Sequence, residues 1–475
     1  MGIHSLRVTA CLLLFAACSL LRAQSTAALS EVKVEPSRRF QVIEGFGVNY
    51  TGPYFRDDQK RMFDLLIDDL GASMFRVVAY FVGTDWEVAN DNTDPLSANW
   101  NYFDERYSNP VFEASWNGLR YLNSRGIRPV LALMGPAPAW MVEETSAAPK
   151  HKVCSPESRQ GRLKPAMYDE FAETVVTMAA FARRKAGIEF DYFSPVNETD
   201  CYPGEGPRID PEEMPKVLAA IARRMNLEGL GEVKLVTADN AIIGNDYLTP
   251  VMANKDLMKQ VGAFALHSYS DDSVGAHVES VKRIGYDRVP VWLTEYGSLA
   301  DEDRTSENEW KEFALASNRR ALTALNQGAS ALFYFNAFDD YEECMKRHTY
   351  YGLFTSASHV YSPRKRYFAT RQLYHFVAPG SRRIEAVTKA HGLTVSAFTD
   401  GDKGTITLVG VKEGGAGRIR VSLPNSPDTP ETWELYLTTR NLDCRKSGTI
   451  HTTGGVVEFE LPDDAVFTLV GKAVM

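Results

Sequence analysis

Short apolar runs recur along the chain from about residue 43 to residue 375. They fall at 42–48, 74–80, 129–134, 191–196, 234–238, 263–268, 289–294 and 331–335. Most are continuously apolar rather than alternating, the pattern of strands covered on both faces. Helical patterns lie between them. One opens on Asp57-Asp58-Gln59-Lys60-Arg61-Met62-Phe63 and runs to Leu70, with an acidic first turn. Another starts at Pro165-Ala166-Met167-Tyr168, where proline suits a first helical turn. Eight strands with interleaved helices predict an α/β fold, a closed (β/α)8 TIM barrel over residues 43–375. An open doubly wound sheet is the competing arrangement. It would want a glycine-rich phosphate loop after the first strand, and Gly45-Phe46-Gly47 is followed by Val48-Asn49-Tyr50 without the third glycine.

From about Ser381 the period changes. Leu393-Thr394-Val395-Ser396-Ala397-Phe398, Thr405-Ile406-Thr407-Leu408-Val409, Arg418-Ile419-Arg420-Val421-Ser422-Leu423, Trp433-Glu434-Leu435-Tyr436-Leu437 and Val466-Phe467-Thr468-Leu469-Val470 alternate or run as short strands between Gly, Asp and Pro turns. They predict a C-terminal antiparallel β-sandwich side domain over 376–475. Residues 24–42 are expected to pack on that side domain, as a strand over 31–41 with a turn at Pro36-Ser37.

The first 23 residues change the picture of where the protein works. Arg7 precedes the apolar stretch from Ala10 to Leu21, which is short for a bilayer span and reads as a secretory signal cleaved after Ala23. Phe15-Ala16-Ala17-Cys18 also resembles a bacterial lipoprotein box, which would put a lipid anchor at Cys18. The expectation is a secreted or periplasmic protein. Loss of Arg7 and Arg22 takes 52 basic residues to 50 against 61 acidic, a net of −11. That balance disfavours nucleic acid and anionic membrane surfaces as partners. Of the six cysteines, Cys11 and Cys18 belong to the signal; Cys154, Cys201, Cys344 and Cys444 have neither zinc nor redox spacing. Cys154 and Cys201 would both sit on loops at one face of the barrel, either paired or as free thiols.

Two apolar runs end on a carboxyl. Phe190-Asp191-Tyr192-Phe193-Ser194-Pro195-Val196-Asn197-Glu198 closes strand four, and Val289-Pro290-Val291-Trp292-Leu293-Thr294-Glu295 closes strand seven. In a TIM barrel that edge carries the chemistry. A facing pair of carboxyls there is what glycosidic hydrolysis requires. An acid at position 198 must hold a proton near neutral pH, which partial burial and a nearby carboxylate favour. A nucleophile at position 295 must be ionised and held by donors. Arg76, within Met74-Phe75-Arg76-Val77-Val78, needs a carboxylate partner, and Glu295 is the expected one. Asn197 can donate to a sugar hydroxyl. Tyr269, in Ala265-Leu266-His267-Ser268-Tyr269, can donate to the nucleophile, with His267 in the same network. A lone histidine on an apolar strand is more often a satisfied core residue; the four polar strand ends reverse that here. Trp140, with Trp86, Trp100, Tyr80, Tyr296 and Phe338, offers faces for sugar rings, although each taken singly is more often packing. Asn336, Asp339 and Asp340 follow strand eight and can bind hydroxyls or simply face solvent. No Gly-x-Ser-x-Gly elbow, His-Glu-x-x-His helix or P-loop is present, and no metal or organic cofactor is expected.

These residues resemble clan A retaining glycoside hydrolases, most closely glycoside hydrolase family 30. The resemblance rests on Val42-Ile43-Glu44-Gly45-Phe46-Gly47, Pro136-Ala137-Pro138-Ala139-Trp140-Met141, Asn197-Glu198, Trp292-Leu293-Thr294-Glu295 and the C-terminal Phe459-Glu460-Leu461-Pro462 hairpin. It departs where Thr199 follows Glu198, a position at which the family usually has proline. The resemblance implies that Glu198 is the acid/base, that Glu295 is the nucleophile, and that a β-linked polysaccharide or oligosaccharide is cleaved by double displacement. The alternatives are a secreted carbohydrate-binding protein that has lost catalysis and a different clan A exo-glycosidase.

Overall fold

The computed structural model describes residues 29–81, 86–143, 161–201, 205–298, 305–339, 350–401, 404–426 and 429–472. The signal segment, Cys18, Cys154, Cys344, Asp340 and most of the loop before Leu163 lie outside the described residues, as does the side chain of Tyr80.

Eight parallel strands close a barrel in sequence order: β2 (Gly45–Thr51), β3 (Met74–Phe81), β4 (Val130–Met134), β5 (Tyr192–Ser194), β6 (Lys234–Asn240), β7 (Val261–Ser268), β8 (Val291–Tyr296) and β9 (Ala331–Tyr334), with β9 pairing back to β2. The first begins at Gly45 rather than at residue 42, because Val42 still belongs to the preceding strand. Strand alternation sorts the side chains. Phe75, Val77, Leu293 and Leu332 face the helices. Inward-facing Met74, Tyr192, Val236, Ala265, Trp292 and Phe333 plug the lower lumen. The Trp292 ring lies 4.9 Å from Tyr192 and 5.9 Å from Phe333. Gly47 faces the same plug; a Cβ there would lie 2.5 Å from the Phe333 ring, so only glycine fits.

Helix signals act locally. Pro110 starts the helix Pro110–Ser124, and the Asn109 side chain accepts from the amides of Val111 and Phe112 at 2.9 and 3.0 Å. The segment expected as one helix from Asp57 to Leu70 is instead a 3-10 turn (Asp57–Gln59), an α turn (Lys60–Asp64) and a π-helical stretch (Leu65–Leu70) ended by Gly71 at φ 90°. Met62, Leu66 and Leu70 are buried at a spacing of four, which the wider π turn stacks on one face.

Nine further strands form one continuous sheet in the order β17-β16-β19-β14-β13-β12-β1-β15-β18. Here β1 is Leu29–Val42, β12 Arg382–Thr388, β13 Leu393–Asp400, β14 Thr405–Lys412, β15 Gly417–Ser422, β16 Thr432–Thr438, β17 Arg445–His451, β18 Val456–Leu461 and β19 Ala465–Lys472. A small ribbon, β10 (Phe354–Thr355) with β11 (Ser362–Pro363), follows the barrel's last strand. The sheet curls into a sandwich. Phe459 of β18 and Phe467 of β19 stand 5.3 Å apart, although five strands separate them in the sheet order. β1 pairs with β12 and β15 and does not turn at Pro36-Ser37. Its register shifts between Glu35 and Arg39 instead, and the bulge takes Pro36, which has no N–H to pair, out of the ladder.

β13, β14 and β19 are covered on both faces. Ala397, Leu408 and Phe467 face the sandwich core, whereas Phe398, Val409 and Val466 join the core of the barrel. Asn326 Nδ2 donates to the Val395 carbonyl at 2.8 Å, and Thr468 Oγ1 donates to Gln372 Oε1 at 2.7 Å across the same boundary. Cys201 is in a disulfide whose other half lies outside the described residues, and Cys444 is a buried free thiol. Among the described residues no helix is long and apolar enough to cross a membrane.

Candidate active site

The upper lumen, above the Trp292 plug, is polar. Arg76 enters it from the third residue of β3, and its side chain is fully buried. Its guanidinium spreads under several strands. Nη1 donates to Glu295 Oε1 at 2.8 Å and to Asn49 Oδ1 at 3.0 Å, while Nη2 donates to Asn197 Oδ1 at 2.7 Å and lies 3.4 Å from Asp239 Oδ2.

Strand irregularity aims the two glutamates. Regular alternation puts Trp292 and Thr294 inside and would turn Glu295 outward with Leu293. The register of β8 shifts against β7 and against β9, so Thr294 and Glu295 both face the lumen and Tyr296 returns to the outer core. Glu198 follows β5 in a left-handed backbone conformation, φ 43°, with its amide donating to the Asp239 carbonyl at 2.8 Å. Gly206 presses on the preceding peptide: a Cβ there would lie 1.9 Å from the Asn197 carbonyl oxygen. Asp200 ties the same turn to the loop after β6, accepting from the amides of Ala241 and Ile242, both at 2.9 Å, and from Asn245 Nδ2 at 3.0 Å.

A carboxylate oxygen of Glu198, one of Glu295 and a ring nitrogen of His267 lie within 4.8 Å of one another. His267 Nδ1 is 3.1 Å from Glu198 Oε1 and 3.5 Å from Glu295 Oε2, and Nε2 is 3.3 Å from Asp239 Oδ1. Tyr269 donates to Glu295 Oε2 at 2.6 Å. Ser194 and Thr294 donate to the two oxygens of Asp239. Burial alone would lower the pKa of His267, but Glu295, Asp239 and Glu198 raise it to about 10, so the ring is an imidazolium at neutral pH. Burial alone would raise Asp239; Arg76, His267 and Ser194 overcome it and hold this carboxyl far below the usual range. Burial and then Glu295 push the Tyr269 hydroxyl well up, so it stays a donor.

The one set of three acidic or histidine side chains whose donor atoms converge tightly enough for a metal ion, among the described residues, is Glu198, His267 and Glu295. Both oxygens of Glu295 already accept from Arg76 and Tyr269, and both ring nitrogens of His267 face carboxylates.

The sequence-derived residues Arg76, Asn197, Glu198, His267, Tyr269 and Glu295 thus meet at one point. Trp140 stands at the rim, half-exposed, its Nε1 donating to the Glu87 carbonyl at 3.1 Å. Asn336 is half-buried after β9, and its Oδ1 has no partner among the described residues. Other candidates pack instead. Trp86 is buried with Nε1 donating to Tyr107 Oη at 3.0 Å, Tyr296 is buried against Tyr334 and Tyr374, and Phe338 packs against Tyr50 and Tyr361. Trp100 lies under the guanidinium of Arg184. Asp339 is buried in an ion pair with Arg364. Sequence reading missed Asn49, Ser194, Thr294 and Asp239. For Asp239 the signal was available: it is a charged residue closing the buried run Leu235-Val236-Thr237-Ala238, the same cue that marks Glu198 and Glu295.

No protein-family model matches the chain, and neither does any curated protein. Solved structures do. The chain is similar to the glycoside hydrolase family 30 subfamily 8 xylanase Xyn30A from Clostridium acetobutylicum at 16% identity, over 93% of this chain and 100% of that one, with a TM-score of 0.71. It is similar to a GH30 endoxylanase from Clostridium papyrosolvens at 19% identity, over 94% and 100% of the two chains, with a TM-score of 0.69. An endo-β-1,6-glucanase matches at 18% identity over 93% and 94%, with a TM-score of 0.63.

Proposed function

With the fold that of clan A glycoside hydrolases of the family 30 type, we propose that this protein is a secreted retaining β-glycoside hydrolase that cleaves a β-linked polysaccharide or oligosaccharide with Glu198 and Glu295. The observation that carries the reading is the approach of the two carboxyls, with oxygens within 4.8 Å. Retaining enzymes keep their pair about 5–5.5 Å apart, and inverting enzymes about 6.5–9.5 Å to admit a water.

Glu295 is the nucleophile. Arg76 and Tyr269 hold one oxygen each, which fixes the plane of the carboxylate for attack on the anomeric carbon. As the C1–Oε bond forms, the glycosidic C–O bond breaks and the proton of Glu198 passes to the leaving oxygen. Water then attacks the same carbon, its proton returns to Glu198, and Glu295 is released, so the anomeric configuration is retained. Asn197 spends its Oδ1 on Arg76 and keeps Nδ2 without a partner among the described residues, a donor for a sugar hydroxyl beside the reacting carbon. Trp140 offers a face for a sugar ring at the rim. Neighbours with this fold are named for xylan and for β-1,6-glucan, so the sugar is set by loops rather than by the barrel.

The test is hydrolysis of a panel of xylans, glucans and galactans, with the anomer of the first product read by proton NMR. Release of the β-anomer by the wild type, lost in Glu295→Gln, supports the reading. An α-anomer first product, or turnover unchanged in Glu295→Gln, sinks it.

A further inference from the structure

Asp239 has no part in bond making, yet it is wholly buried and held by four side chains. It is the extra residue of a bulge: Ala238 pairs with Ala265 and Asn240 with Leu266, so Asp239 has no partner on β7. Its backbone is left-handed at φ 51°, which turns the side chain into the lumen, and it is wholly buried. Four groups from four strands converge on it: Arg76 of β3, Ser194 of β5, His267 of β7 and Thr294 of β8.

Resting on the glycosidase reading above, we propose that Asp239 is a positioning residue that keeps His267 an imidazolium through both half-reactions, its Nδ1–H facing Glu198 whatever the charge on Glu295. Charges must balance in so buried a pocket. Among the described residues, the charged and titratable groups around His267 are Asp239, Glu198, Glu295, the Arg76 guanidinium beyond them and the Tyr269 hydroxyl. Before attack, Arg76 and His267 are balanced by Asp239 and Glu295, and Glu198 carries its proton. After attack Glu295 is an ester and neutral, the proton has left Glu198, and the same two cations are balanced by Asp239 and Glu198. Net charge is unchanged at each stage, which avoids an uncompensated charge in a low-dielectric site. Without Asp239 two cations would face a single carboxylate, and the imidazole is the one that can lose a proton. A neutral ring no longer needs to donate from Nδ1, so Glu198 would lose the donor that favours its ionised, basic form.

The test reads the ring directly and needs no substrate. Protein labelled with 15N-histidine is followed by NMR against pH, with the His267 signals assigned by their loss in His267→Gln. Glu295→Gln imitates the neutral nucleophile. The expected result is that His267 stays doubly protonated at pH 7 in the wild type and in Glu295→Gln, titrating above about 8 in both. In Asp239→Asn combined with Glu295→Gln its midpoint should fall below about 7. A neutral ring at pH 7 in Glu295→Gln overturns the proposal even if the Asp239 variants fail to fold, as does an unchanged midpoint in the double variant. If the hydrolysis panel is negative while these titrations hold, the glycosidase reading fails and the Asp239–His267 coupling stands.

Discussion

Arg76 Nη1 sits 2.8 Å from Glu295 Oε1, an ion pair between the third residue of one barrel strand and the fifth of another, with both side chains buried. The pair is a requirement of burial before it is a device of catalysis. A guanidinium at this depth is tolerated only with carboxylates beside it. Arg76→Met would strand Asp239 and Glu295 together, and breaking such a pair costs about 3–5 kcal/mol. The expected outcome is a fall of several degrees or more in Tm by calorimetry, together with loss of turnover. Arg76→Lys should recover little of either, because one ammonium cannot replace a fork that reaches Asn49, Asn197, Asp239 and Glu295 at once.

The acid/base assignment has a chemical signature. Glu198→Ala should slow hydrolysis of glycosides with poor leaving groups far more than that of activated aryl glycosides, which need no proton. Added azide should restore turnover and yield a β-glycosyl azide, detected by mass spectrometry and NMR. An α-azide, or no rescue, would be incompatible with the role given to Glu198.

Tyr269 contributes one short hydrogen bond to a charged acceptor, at 2.6 Å. Such bonds are worth about 1.5–3 kcal/mol, so Tyr269→Phe should lower kcat/KM by roughly 10- to 100-fold with the barrel intact. Circular dichroism checks the fold and steady-state kinetics the loss. Equal loss of Tm and of activity would mean that the hydroxyl is structural.

A second group of acids lies away from the catalytic pair, around the helix Tyr168–Arg184. Burial pushes Glu173 up to about 8, partly offset by Arg224, and Glu87 up to about 7, partly offset by the Thr174 hydroxyl. Both folded values lie above the unfolded ones, so each group's contribution to stability is fully present below about pH 4.5 and is lost as pH rises through 7 and 8. The protein should therefore lose stability between about pH 5 and 8. Glu173→Gln should flatten that loss, with a higher Tm than the wild type at pH 8 and little difference at pH 5. Parallel Tm curves for the two proteins would count against this account. Because the Glu87 carbonyl accepts from Trp140 at the rim, the same pH range should also weaken substrate binding, read as a rise in KM.

The same rim tryptophan gives a simpler test. Stacking on an aromatic face is worth about 0.5–1.5 kcal/mol beyond buried area, so Trp140→Ala should raise KM by up to roughly tenfold with kcat less affected. Fluorescence titration with oligosaccharides on Glu295→Gln separates binding from turnover.

The barrel was legible in the sequence because buried parallel strands leave continuous apolar runs, and a run such as 331–335 can hardly be anything else. The two glutamates were legible because a charge that closes such a run must lie at the barrel's mouth. Their partners were less so. Arg76 was visible as an anomaly within an apolar strand, although its depth was not. Asn49, Ser194 and Thr294 are ordinary polar residues in strands, and nothing in their neighbours distinguishes a lumen position from an outer one. The 57–70 segment carries helical periodicity, yet its π-helical second half follows from what Leu66 and Leu70 must pack against.

What the chain determined by itself is the alternation of strands and helices, the change of period near Ser381 and the two glutamates that close the fourth and seventh apolar runs, because these depend on local patterns of burial. The tertiary structure decided which way the side chains face. Bulges at Asp239 and in β8, and the left-handed turn at Glu198, each break a period of two. The period is a local property, and its breaking is settled only when eight strands close and their registers must agree.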